Sequence, residues 1–161
     1  MFHQRTFLID RLNEKREAIE ALIATVPPQK EIYTGWTIKE LVAHMSGWDD
    51  AIIEALRAHA RGEPISTTVT RGVDAYNAST VHTRESLDFD HVLREWRAMR
   101  EVLIQTLNDT PDEKFNQALT FPWGEPGTVA YLLEIFVEHE EFHGRHLAEW
   151  LKHPDEPLGE H

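Results

Sequence analysis

The sequence predicts an all-α protein, a four-helix bundle with a long crossover between its second and third long helices. Three observations carry this. Apolar residues recur at three- and four-residue steps in four long segments, strand-like alternation is almost absent, and residues 62–87 form a link too long for a hairpin. The first segment, residues 4–26, sets Phe7, Leu8, Leu12, Ile19, Leu22, Ile23 and Val26 at helical spacing and is stopped by Pro27 and Pro28. The second opens at Thr37, whose capping box with Glu40 precedes Leu41, Met45, Trp48, Ile52 and Leu56, and it runs to about Gly62. The link that follows carries a helical fragment of its own, residues 73–77. Asp88 is the N-cap of the third segment, which continues by Phe89, Val92, Leu93, Trp96, Leu103, Ile104 and Leu107 to about Asn108. Thr110 and Pro111 mark a short helical turn, with threonine as cap and proline at the first helical position. Residues 121–127, FPWGEPG, read as a rigid loop, and the last segment runs from Thr128 to about Lys152. Helices of about 20 residues are about 30 Å long, the right length for a bundle. The expected domain is 1–153, followed by a flexible tail, 154–161.

A chain of 161 residues buries a core without disulfides or a structural metal, so any metal here is functional first. Sixteen Lys and Arg against 28 Asp and Glu give a net charge of −12, which repels nucleic-acid phosphates and anionic lipid. Cysteine is absent, which excludes thiolate metal sites, iron–sulfur clusters and a cysteine nucleophile. No apolar stretch reaches the length of a membrane span, and the first residues, MFHQRTFLIDRL, lack the layout of a signal peptide, so the expected location is cytoplasmic. The expected partners are a small-molecule substrate and a second copy in a homodimer, a common state for a bundle of this size. Nucleic acid and membrane are not expected.

Ten histidines in so acidic a chain are an anomaly of composition. His3, His59, His82, His91, His153 and His161 are dispersed, whereas His139, His143 and His146 share the apolar face of the last segment with Leu132, Ile135, Phe136, Phe142 and Trp150. His44 sits at the margin of the apolar line of the second segment. His139 and His143 at i, i+4 can hold one ion through two imidazole nitrogens, and a third nitrogen from another helix completes a set with an open position, the pattern of catalytic zinc. Imidazole suits nickel, iron or copper as well. The competing reading is that of core histidines satisfied by hydrogen bonds, although two buried imidazoles side by side need a partner for every ring nitrogen. Residues 139–143, HEEFH, match the metalloprotease pattern H-E-x-x-H. That match is discounted, because nothing in the chain offers a sheet for an extended peptide. Glu140 remains a candidate for a supporting or proton-shuttling group.

Two stretches resemble a known family. Residues 35–48, GWTIKELVAHMSGW, look like the second-helix signature of the DinB/YfiT-like four-helix bundles, and residues 139–147, HEEFHGRHL, look like their last-helix signature. The resemblance implies a bundle that binds one divalent metal (zinc, nickel or iron) through His44, His139 and His143. Members of that family with an assigned activity include thiol-dependent transferases and isomerases, so the expected enzyme is a transferase or hydrolase that transfers a low-molecular-weight thiol to, or hydrolyses, a small electrophile, with His146 supporting the site or carrying a proton. A chain without cysteine fits a thiol supplied from outside. Residues 48–64 and 71–77, the latter RGVDAYN, are similar to the ClbS/DfsB branch, associated with metal-free protection against an electrophile. In either branch the segment of Tyr76 and Asn77 covers one end of the bundle. Trp36, Trp48, Tyr76, Phe121 and Trp123 are then candidate walls of a pocket, with Trp48, Tyr76, Asn77 and Trp123 as the ligand-binding set. The alternatives to an enzyme are a non-catalytic stress-related binder of a small molecule or metal, and a metal-free protein acting through its surfaces.

Overall fold

A computed structural model describes residues 2–65, 69 and 72–159. Arg71 and the last two residues of the expected tail, Glu160 and His161, lie outside the described residues. Helices α1 (Phe2–Ile23), α2 (Ile38–Arg61), α4 (Phe89–Asp109) and α6 (Val129–Trp150) form the bundle, with α1 packed along α6 and α2 along α4. Helix α3 (Val73–His82) lies on α2 within the crossover, and α5 (Asp112–Phe115) is the short turn after Pro111. No helix is long and apolar enough to cross a membrane, among the described residues.

The helix boundaries follow local chemistry. Thr37 N–H donates to the Glu40 carboxylate at 2.8 Å at the start of α2, Asp88 accepts from His91 N–H at 2.8 Å at the start of α4, and Thr128 accepts from Tyr131 N–H at 3.2 Å at the start of α6. Helix α2 ends at Gly62, whose φ of 68° is the left-handed closure that glycine adopts without strain.

Two features escape periodicity. The loop before α6 contains an antiparallel ladder, β1 (Leu119–Thr120) with β2 (Pro126–Gly127), in which Leu119 faces Gly127 and Thr120 faces Pro126. Two residues are too few to show alternation. The tail expected to fray from Pro154 is anchored instead, since Leu158 N–H donates to the Ile32 carbonyl at 2.7 Å and Leu158 packs against the core.

The crossover is held against α2 by one close approach. A Cβ on Gly47 would stand 2.4 Å from Thr80 Cγ2, so only glycine lets α3 come this near, and the Tyr76 hydroxyl donates to the Gly47 carbonyl at 2.5 Å. This contact fixes Tyr76 and Asn77 beside Gly47 and Trp48 in the middle of α2, rather than over one end of the bundle as the resemblance implies.

The core is two apolar halves. One holds Leu12, Ile52, Leu103, Leu133 and their neighbours, the other Ile19, Met45, Trp96, Leu147 and theirs. On each long helix a buried charged residue falls between the two sets: Arg16 on α1, Asp49 on α2, Arg100 on α4 and Glu140 on α6.

Candidate metal centre

Helix α2 delivers His44 and helix α6 delivers His139 and His143, one turn apart, to a single point. Their Nε2 atoms stand 3.2 Å (His44 to His139), 3.2 Å (His44 to His143) and 2.9 Å (His139 to His143) from one another. Hydrogen bonding cannot close this triangle. A ring nitrogen that carries a proton has no lone pair with which to accept, so at most two of the three edges can be hydrogen bonds. Three lone pairs directed at one cation satisfy all three. Nitrogen ligands about 2.1 Å from a shared ion and about 90–110° apart stand about 3.0–3.4 Å from each other, and the observed separations match that range closely. These are the described residues that could hold a metal ion.

Electrostatics point the same way. Burial, followed by repulsion from His139, His44 and His146, holds His143 well below the ordinary imidazole pKa. Desolvation lowers His139 as well, against the opposing pull of Glu140 and Asp49. Near neutral pH both rings are unprotonated, the state in which they ligate.

Behind the triad lies a residue the sequence reading did not single out. The Tyr33 hydroxyl is 3.3 Å from His143 Nδ1 and 2.8 Å from His146 Nδ1. Burial pushes Tyr33 up to about 12, so the hydroxyl keeps its proton. His146 is therefore linked to His143 through the Tyr33 hydroxyl and is half-buried at the bundle surface. Phe142, expected on the core face, is 42 % exposed and caps the His146 ring at 4.0 Å between centroids.

Glu140 is placed differently from expectation. It is buried and does not enter the space in front of the triad. Arg16 donates to its carboxylate at 2.8 Å and Arg100 donates to the same oxygen. Both arginines also bond Asp49, Arg16 at 3.2 Å and Arg100 at 3.1 and 3.0 Å, and the Arg16 guanidinium stacks 4.0 Å from the centre of the Trp96 ring. Burial alone would raise the Glu140 carboxyl, but Arg100 and Arg16 overcome that and hold it ionised. A carboxylate committed to two guanidiniums has no proton to carry, so the proton-shuttling role does not fit. The quartet ties together one residue from each long helix, with Glu140 on α6 next to His139 in sequence. Arg16 follows Leu12 by four residues and precedes Ile19 by three, so a charge within an apolar stripe was the available signal.

In front of the triad is a cavity of about 190 Å³, which His44 and His139 enter. Trp48 and Trp123 wall it, and Asn77 from α3 completes the side. The Trp48 indole N–H donates to Asn77 Oδ1 at 2.6 Å. Of the expected pocket residues, Tyr76 stands one layer back with its ring 4.9 Å from that of Trp48, and Phe121 is fully buried behind Trp123. Trp36 flanks His44 at 5.2 Å but does not line this cavity. The dispersed His59 is a satisfied core histidine, with Nε2 2.7 Å from the Lys114 carbonyl.

Residues 11–147 match the DinB superfamily. The fold resembles that of the mycothiol-dependent maleylpyruvate isomerase, with a TM-score of 0.77 at 13 % identity over 89 % of this chain and 60 % of that one. A mutant form of the same enzyme gives 0.76 at 12 % identity over the same shares. An uncharacterised protein from Escherichia coli UTI89 gives 0.76 at 14 % identity over 96 % of both chains. These likenesses are of fold, and this chain spans 60 % of the isomerase's length. No curated protein matches the chain.

Proposed function

The chain belongs to the DinB superfamily, and from that premise we propose that it is a metal-dependent small-molecule enzyme, in which a low-molecular-weight thiol or water attacks a small electrophile. The observation that carries this reading is the convergence of three Nε2 atoms within 3.2 Å of one another, two of their residues, His44 and His139, lining a cavity. His44, His139 and His143 would hold a divalent ion, zinc, nickel or iron. When bound, such an ion lowers the pKa of a thiol or water and so supplies a nucleophile at neutral pH. The chain contributes no thiol, having no cysteine, which makes a thiol cosubstrate an external one. The likeness in fold to a mycothiol-dependent isomerase supports thiol use.

The protein's own residues do the rest. His44 and His139 face the cavity while His143 is braced from behind by Tyr33, so the open side of the donor set is the side that substrate reaches. Trp48 and Trp123 give that side an apolar wall, against which a bound small molecule would displace water.

The test is to load protein purified without an affinity tag with zinc, nickel or iron and to present a panel of thiols, each with a generic electrophile. A metal-dependent rate above the buffer background for at least one pair is expected, and it should vanish in His139→Ala. Background rates for every pair, with metal bound, would replace the enzyme by a non-catalytic binder.

A further inference from the structure

The walls of the cavity restrict what it accepts. Among the described residues no lysine or arginine lines it. Its surfaces are the two indoles, Ile135 and Phe136, with Val73 at the rim, where it is 42 % exposed. Arg16 and Arg100 do not line it and are paired with Asp49 and Glu140, two charges of each sign. In the metal-free protein an ionised group moved from water against such walls loses hydration and meets no cationic side chain of the lining, so the walls themselves favour an uncharged ligand. Size is equally limiting. A cavity of about 150 Å³ lined by apolar side chains accommodates benzene, and here the volume is about 190 Å³. The part of a ligand held between these walls is therefore about one ring in size, or its open-chain equivalent. One polar direction exists besides the triad. With its oxygen engaged by Trp48, the Asn77 amide presents N–H donors, so it selects a ligand with an acceptor atom.

We propose that the cavity walls select an uncharged, single-ring-sized electrophile bearing one acceptor such as a carbonyl, and that without the ion they disfavour dicarboxylates. This deepens the reading of the triad as the reactive site, and it rests on that reading for the ligand's being a substrate. The binding preference belongs to the indole and Asn77 walls and stands without the ion.

The experiment uses two electrophilic alkenes of similar size, neutral 2-cyclohexen-1-one and dianionic maleate, titrated against tryptophan fluorescence with ligand-observed NMR as a second readout. Both are run on metal-free and on zinc-loaded protein. The enone is expected to bind at least about tenfold tighter than maleate to the metal-free protein. Val73→Lys, an exposed rim position whose change leaves the triad intact, is expected to narrow that ratio by at least about threefold with zinc uptake unchanged. Equal or tighter binding of maleate to the metal-free wild type, no binding of either alkene, or a ratio unmoved by Val73→Lys overturns the proposal. Failure of the protein to take up zinc leaves this preference standing and removes only the metal reading, so the two failures are distinguishable.

Discussion

Tyr33, in the loop between α1 and α2, places its hydroxyl 2.8 Å from Nδ1 of His146, on the last helix. The same oxygen is 3.3 Å from His143 Nδ1, and the direction of this chain depends on the metal. A His143 that ligates through Nε2 carries its proton on Nδ1 and donates it to the tyrosine oxygen. The hydroxyl must then donate to His146, which fixes both tautomers at once.

Tyr33→Phe removes that acceptor while keeping the ring in its buried place. The expected loss in zinc affinity is about 10–100-fold, as for other partners that orient a histidine ligand. Competition against a chromophoric chelator measures it. Nitrogen-15 shifts of the His146 ring, expected to respond to zinc in the wild type and not in the variant, separate orientation of the ligand from general loosening.

Glu140→Ala leaves two buried guanidiniums sharing one carboxylate, Asp49. A loss of about 3–5 kcal/mol in unfolding free energy is expected from urea denaturation, the magnitude associated with breaking a buried ion pair from one side. Asp112→Ala, which breaks the more exposed pair with Arg5, is expected to cost at most about 1 kcal/mol. Equal effects would contradict the role given to the quartet.

Gly47→Ala drives a Cβ into Thr80 and must displace α3. The expected cost is about 1–3 kcal/mol, with a shift in tryptophan emission as Trp48 loses Asn77. Adding Thr80→Gly is expected to restore most of both signals. No recovery in the double variant would show that the contact is not what holds the crossover.

The histidines set a pH window. His139 and His143 have folded pKa values below the unfolded value of about 6.5, so between the two values the unfolded chain binds more protons and stability rises with pH. Taking metal-free protein from pH 7 to pH 5 is therefore expected to lower the urea midpoint, the unfolding free energy falling by up to about 1.4 kcal/mol per pH unit for each histidine below its unfolded pKa. Glu140 contributes in a lower window. Its folded pKa is depressed, so its stabilisation is present above the unfolded value and is lost only as pH falls through the folded one. A midpoint that stays flat from pH 7 to pH 5 in the wild type, or falls equally in His143→Gln, would contradict the histidine account.

Thr37, Asp88 and Thr128 made the helix starts legible because a cap is written in neighbouring residues, and His139 and His143 made half of the site legible because i, i+4 spacing is local. His44 came from the family signature, and its burial beside the pair depended on how α2 packs. Tyr33 was invisible because it lies 110 residues from His143 in a loop without a pattern. Arg16, Asp49, Arg100 and Glu140 each look like one charge near an apolar stripe, and they become a neutral cluster only when four helices meet. Phe142 misled because its angle on the helix wheel is that of the core, while the bundle's packing leaves that edge of α6 half exposed.

Three imidazoles, those of His44, His139 and His143, make up the proposed metal site. Elemental analysis of protein purified without a tag or added metal, then of the same protein equilibrated with zinc, tests it against His44→Ala, His139→Ala and His143→Ala. The account predicts about one equivalent of divalent metal per chain in the wild type and a large loss in each variant, with helical content retained. No bound metal in the wild type after zinc loading, or the same metal content in all three variants, would contradict it.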